Sequence, residues 1–236
     1  MDIMIAQWMS HGLSRSLLFD ETVLTLSASH LVKGAMLVSI MLFVWLWVPS
    51  NSQLGKEKAQ IRNRTTILAA LVASVFGEIF ARLLSHYSAF RLRPFLEASL
   101  DMQVPERLQL LAPEMIANSS FPSDHAILFF AIATGIYMIS RSFGIFAFLY
   151  SFIFIALPRI YLGLHYMSDI VIGAAIGIGF SIVGVRLMRN SAILKRTGSW
   201  SMSKPEIFYP VFFLFLFQVA TMLEDVRAFS QLLKLV

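Results

Sequence analysis

Between residues 118 and 130 the chain reads NSSFPSDHAILFF: small polar residues, a proline, then Ser123, Asp124 and His125 running straight into an apolar segment. Pro122-Ser123-Asp124-His125 has the pattern of a helix start with Ser123 as N-cap. Free backbone N–H groups and the positive end of the helix dipole would then face a bound anion. Arg93 and Arg159 could each grip phosphate oxygens in a bidentate fork that lysine cannot form. His165 and Asp169 stand four residues apart, one helical turn. The carboxylate could accept a ring N–H, fix the tautomer and leave the other nitrogen as a nucleophile. His125, from a different helix, could protonate a leaving alkoxide as general acid. Two cations and helix dipoles would stabilise charge on a transferring phosphoryl group, where most phosphoryl-transfer catalysis lies.

These residues are spread over about eighty positions, so the elements that carry them must bring them together. The chain has 236 residues, 57% hydrophobic and 14% charged, against about a quarter charged in a soluble domain. Its mean hydropathy is +0.72. Six segments, roughly 31–49, 65–85, 124–140, 142–159, 169–187 and 207–223, are long and nearly uncharged, as membrane helices are. None alternates with the period of a barrel strand. The expected fold is therefore all-α: a polytopic membrane protein with a six-transmembrane-helix bundle and short peripheral helices, in a single domain over 1–236. Leu13–Leu26, interrupted by Arg15, Asp20 and Glu21, is expected as a peripheral helix or loop, and 103–117 as a short amphipathic surface helix. With no cysteine there is neither disulfide nor thiolate chemistry.

Lys and Arg of short loops mark the cytoplasmic side. Lys56, Lys58, Arg62 and Arg64 follow the first segment, Arg141 the third, and Arg186, Arg189, Lys195, Arg196 and Lys204 the fifth. These loops share one side, so both termini are expected outside. The ends of even segments and the starts of odd ones meet on that outer face. Arg91, Arg93, Ser123, Asp124, His125, Arg159, His165 and Asp169 would gather there, and ionisable groups at membrane depth mark function. The basic balance is that of a positive-inside membrane protein and implies no nucleic-acid partner. Spacing of four also suits a metal pair, but two converging arginines favour an anion, so neither metal nor cofactor is expected.

Three motifs carry a resemblance. HYSAFRLRP (86–94), FPSDH (121–125) and PRIYLGLHYMSD (158–169) stand in order and at matching spacing. They are similar to the signature of the type 2 phosphatidic acid phosphatase and vanadium haloperoxidase superfamily: lysine, six residues, Arg-Pro; Pro-Ser-Gly-His; and Ser-Arg, five residues, His, three residues, Asp. The likeness covers about 65–187. It implies a metal-independent hydrolase working through a phosphohistidine, with His165 as nucleophile, Asp169 its partner and His125 the general acid. Arg93, Arg159 and Ser123 would hold the phosphate.

Three positions depart from the signature. His86 stands where the family has lysine, so His86 or an arginine, Arg91 foremost, would supply that charge. Pro158 replaces the serine before Arg159. Asp124 replaces glycine and puts a carboxylate at the edge of the anion site, as a phosphate-side residue or a purely structural cap. The Pro-Ser-Asp-His form resembles bacterial undecaprenyl-pyrophosphate phosphatases of the bacitracin-resistance type. That implies a bacterial inner-membrane enzyme of the cell envelope, its site facing the periplasm and its substrate a lipid phosphate or pyrophosphate drawn from the bilayer. A lipid phosphotransferase, a phosphatase for phosphatidic acid, phosphatidylglycerol phosphate or lipid A, and a non-hydrolytic lipid or phosphate transporter are the alternatives.

Overall fold

Backbone polar groups in lipid must be satisfied within the chain, and among the described residues every regular element is helical. The computed structural model describes residues 1–10, 12–13, 16–48 and 55–222. Residues 14 and 15 of the first expected peripheral element, residue 49 of the first expected segment, residues 50–54 of the first basic loop and the last residue of the sixth expected segment lie outside them. In chain order the helices are α1 (Asp2–Ser10), α2 (Leu17–Ala28), α3 (Leu31–Leu46, opening with a π-helical turn, Leu31–Ala35), α4 (Lys56–Tyr87), α5 (Glu106–Gln109), α6 (Ala112–Ile116) and α7 (Asp124–Tyr137). They continue with α8 (Arg141–Tyr161, containing a π-helical turn, Ser151–Ala156), α9 (Met167–Met188), α10 (Ala192–Ser203) and α11 (Pro205–Ala220).

The six-span expectation needs correcting. By length and composition α4, α8 and α9 can cross a bilayer, and α2 with α3 makes a fourth candidate, bent by 59° at the junction. α7 and α11 are apolar but hold 14 and 16 residues. That is about 21 and 24 Å of helix against a hydrocarbon core of about 30 Å. α7 shows the reason. It packs against α4, α8 and α9, and Ala126 to Phe129 and Ala131 to Ile136 are all buried. A helix apolar all round can be one enclosed by protein, so its composition reports burial and not span length.

α9 lies unusually close to α7. A Cβ at Gly177 would sit 2.2 Å from the carbonyl oxygen of Ile127, an approach that only glycine permits. One apolar cluster, around Trp45, Phe129 and Ile132, knits α3, α4, α7, α8 and α11. A smaller one, with Leu24, Leu100, Met102, Leu108, Leu162 and Tyr166, ties α2, α5 and the α4–α5 connection to the α8–α9 turn and forms a cap over one end. Segment 103–117, expected as one amphipathic helix, is the two short helices α5 and α6, and Leu108 roots it in this cap. Phe146, Leu149, Val183, Phe213 and Leu214 stay exposed on the flanks, as suits lipid. At the far end Lys58, Arg62, Arg189 and Lys195 line one cleft.

Candidate active site

The capped end collects the start of α7, the end of α8, the start of α9 and the irregular segment 88–93 leaving α4. Ser123 is the N-cap of α7, as its sequence context predicts: its Oγ accepts the Ala126 N–H at 3.4 Å. Its own N–H donates to the Asp169 carbonyl at 3.2 Å, which fixes the α7 start against α9.

Asp124 takes a task the sequence left open. Its Oδ1 accepts both the backbone N–H of His125 and Nδ1 of the same residue, each at 2.8 Å. A carboxylate only accepts, so Nδ1 carries the proton and Nε2 is the ring nitrogen left for chemistry. The expected row of free N–H groups is thus corrected at one position, where Asp124 already fills the anion's place.

His165 follows α8 through a tight turn, its N–H and that of Leu164 both donating to the Arg159 carbonyl. It is 5% exposed. Its Nδ1 donates to the backbone carbonyl of Ser120 at 2.8 Å, which fixes the tautomer and leaves Nε2 with its lone pair. The expected direct bond to Asp169 is corrected here: Nδ1 and Oδ2 are 3.9 Å apart. Asp169 lies in the first turn of α9, where it bonds the Tyr166 N–H at 2.9 Å, the Ser120 hydroxyl and the Arg91 guanidinium at 2.6 Å. It reaches His165 through Ser120, not by touching it.

Burial first, and then the Arg93 guanidinium, push the His165 imidazole down to about 3, with Asp124 opposing and His125 and Arg159 adding to the depression. The ring is neutral near pH 7. Those four groups are therefore its electrostatic neighbours. Arg93 donates to the Leu164 carbonyl at 2.8 Å, beside His165, while its buried Nε has no hydrogen-bond partner. Burial draws its guanidinium down, partly offset by Asp124 and Asp169. An orphaned donor of this kind fits a bound anion. Arg159, 3% exposed, donates to the Ile155 carbonyl at 3.0 Å, in the π-helical turn ahead of Pro158.

Arg91 has other work than phosphate. Nη1 donates to Asp169 and to Ser168 Oγ at 2.8 Å, Nη2 donates to Asp2 at 2.7 Å, and the guanidinium lies over the Tyr166 ring at 3.9 Å. The expectation that it replaces the family lysine is corrected accordingly. His86 is exposed in the last turn of α4, its ring against Tyr87. Sequence reasoning missed Ser120, Ser168 and Asp2. Asp2 accepts the Ser168 N–H at 3.1 Å, so α1 caps α9 from a distance. Burial would raise the Asp2 carboxyl, but hydrogen bonds from Ser168 and Arg91 outweigh it and hold the group low. Among the described residues, no three His, Cys, Asp or Glu are gathered so as to hold a metal ion.

Helix tips that converge on a buried, anion-ready histidine define a class. Residues 64–193, more than half of the chain, match the PAP2 superfamily model, and the chain belongs to that superfamily of phosphatases. It is also 30% identical over 112 residues to the bacitracin transport permease protein BcrC of Bacillus licheniformis. That alignment covers 48% of each, so the match spans about half the length of the relative. No solved structure matches the chain closely.

Proposed function

We propose that the protein hydrolyses a membrane lipid phosphate or diphosphate through a phosphohistidine on His165, with an isoprenoid carrier such as undecaprenyl pyrophosphate as first substrate. Nε2 of His165 attacks the terminal phosphorus, and the bond from phosphorus to the leaving oxygen breaks. His125 acts as the imidazolium, steadied by Asp124 on Nδ1, and delivers its Nε2 proton to that oxygen. Water then attacks the phosphohistidine, His125 takes its proton, and inorganic phosphate leaves. Arg93, Arg159 and Ser123 hold the phosphoryl oxygens. The single observation that carries this is the Nδ1 bond from His165 to Ser120, which leaves Nε2 free among two arginines and a second histidine.

The cations at the far end of α4, α9 and α10 support an extracytoplasmic site in a bacterial inner membrane. The relative is a transport permease by name, which brings a transport reading with it. Transporters bind near the bilayer midplane at broken helices, whereas these groups sit at helix tips, which favours hydrolysis.

The test is phosphate release by the full chain in detergent from undecaprenyl pyrophosphate, phosphatidic acid, phosphatidylglycerol phosphate and lipid A, with and without EDTA. Wild type should release phosphate from at least one and form an acid-labile phosphoryl adduct, and His165→Ala should do neither. A fully active His165→Ala protein would remove His165 from its role. Label passing to an acceptor lipid instead of water would make the enzyme a phosphotransferase.

A further inference from the structure

At the end of the bundle away from the active site, a cleft of about 370 Å³ opens between three chain segments. Lys58 and Arg62 line it from the first two turns of α4, Arg189 and Asn190 from the α9–α10 turn, and Lys195 from α10. Four cations thus share one space, and no carboxylate is among its lining residues. Among the described residues, none of the four charged groups and not the Asn190 amide has a hydrogen-bond or ion-pair partner. Lys58 and Arg62 stand one helical turn apart, where like charges repel. An anion lying between them turns that repulsion into attraction.

The positive-inside bias asks only that basic residues lie in the loops of this end. Arg141 and Lys204 meet it from outside the cleft. Convergence is a further property, and the walls that produce it are held in place. The Ser191 N–H donates to the Met188 carbonyl at 2.8 Å, and Ser191 Oγ accepts the Leu194 N–H at 3.2 Å, which fixes the turn carrying Arg189 and Asn190. Leu194 packs against Ala69, Ala70 and Val185. Further along α10, Ser201 Oγ accepts a hydrogen bond at 2.7 Å from the buried Arg64 of α4, whose guanidinium lies over the Trp45 ring. The cleft is therefore a feature of docked helices.

Its borders are apolar. Leu187 and Ile193, each 75% exposed, stand two residues ahead of Arg189 and Lys195. Exposed large apolar side chains beside unpaired cations suit a ligand with an anionic head and hydrocarbon chains, and basic pockets between membrane helices hold phospholipid head groups. Arginine adds a planar fork that matches two phosphate oxygens.

We propose that this cleft binds the phosphate of an anionic phospholipid from the leaflet opposite the active site, with the lipid chains lying along Leu187 and Ile193. Free phosphate offers the same head chemistry without the chains. The proposal needs only the membrane setting and is independent of the phosphohistidine reading.

The experiment titrates the full chain, in a neutral detergent, with cardiolipin, phosphatidylglycerol, phosphatidylcholine and inorganic phosphate. Lipid retention is read by native mass spectrometry and melting temperature by scanning. Wild type should retain the two anionic lipids and melt a few degrees higher with them, with phosphatidylcholine and inorganic phosphate doing neither. The double variant Arg62→Gln, Arg189→Gln should bind the anionic lipids about 10- to 100-fold more weakly, the loss of charged hydrogen bonds at two arginines. Arg141→Gln with Lys204→Gln removes as much charge from the same end and should bind them as wild type does. If the first pair does not fold, Lys58→Gln with Lys195→Gln takes its place and should show the same loss. Equal weakening in the cleft pair and the control pair would overturn the proposal and leave only a general surface charge. Stabilisation by inorganic phosphate equal to that by lipid would overturn the lipid assignment. Phosphate release from lipid substrates is measured separately, so failure of the hydrolase reading leaves this result standing.

Discussion

Oδ2 of Asp169 lies 3.9 Å from Nδ1 of His165, and Ser120 joins them: its hydroxyl bonds the carboxylate while its carbonyl takes the ring N–H. One residue thus carries the orientation of His165 on its backbone and the link to Asp169 on its side chain. Ser120→Ala keeps the carbonyl, so His165 stays aimed and only the link is lost. Phosphate release should fall by about 3- to 10-fold, the worth of one neutral hydrogen bond. Asp169→Asn should cost at least about 100-fold, because it removes a charged partner from Arg91 and Ser120 together. Equal effects from the two variants would mean that Asp169 acts wholly through Ser120 and that its pair with Arg91 adds nothing to turnover.

The depressed imidazole of His165 has a consequence for stability. In the unfolded chain the ring takes a proton below about 6.5; in the native site it stays neutral down to about 3. Between those values the unfolded state binds more protons, so stability falls as pH drops through that window and is whole above it. Melting temperature in detergent should therefore decline from pH 6.5 to 4 more steeply in wild type than in His165→Asn. Parallel curves would place the ring in a wetter site than the one described.

Arg91 binds two carboxylates and stacks on a ring, which one planar guanidinium can do and an ammonium cannot. Arg91→Lys should lower the melting temperature by a few degrees and kcat by about 10-fold, with KM changed little because the group does not face substrate. Asp2→Ala should follow in the same direction and by less, since that carboxylate is partly exposed. A large rise in KM for Arg91→Lys with kcat intact would return Arg91 to the phosphate.

Much of this placement is legible in the chain because local pattern carries it. A Ser-Asp-His run before an apolar stretch announces a capped helix, and Arg159, His165 and Asp169 are tied by short spacing. What stays hidden has physical reasons. Ser120 orients His165 through a carbonyl, which every residue owns, so no residue type signals it. Asp2 reaches Ser168 across the whole fold. The span count fails for a related cause: composition cannot tell a helix wrapped by protein, as α7 is, from one wrapped by lipid.

Asp124 supplies the sharpest remaining test, because its carboxylate holds Nδ1 of His125 and one α7 N–H at once. Asp124→Gly would free that N–H for substrate and withdraw the partner that steadies a protonated His125. Two effects of opposite sign are expected. Inorganic phosphate should inhibit more tightly, its Ki falling by about 3- to 10-fold, as an anion no longer shares the site with a carboxylate. Turnover should drop where the leaving group needs a proton: by about 10- to 100-fold for an alkyl phosphate lipid, and by under about 3-fold for an aryl phosphate that leaves unaided. A uniform fall across leaving groups would show that Asp124 serves the helix start alone, and an unchanged Ki would show that it never competes with the bound anion.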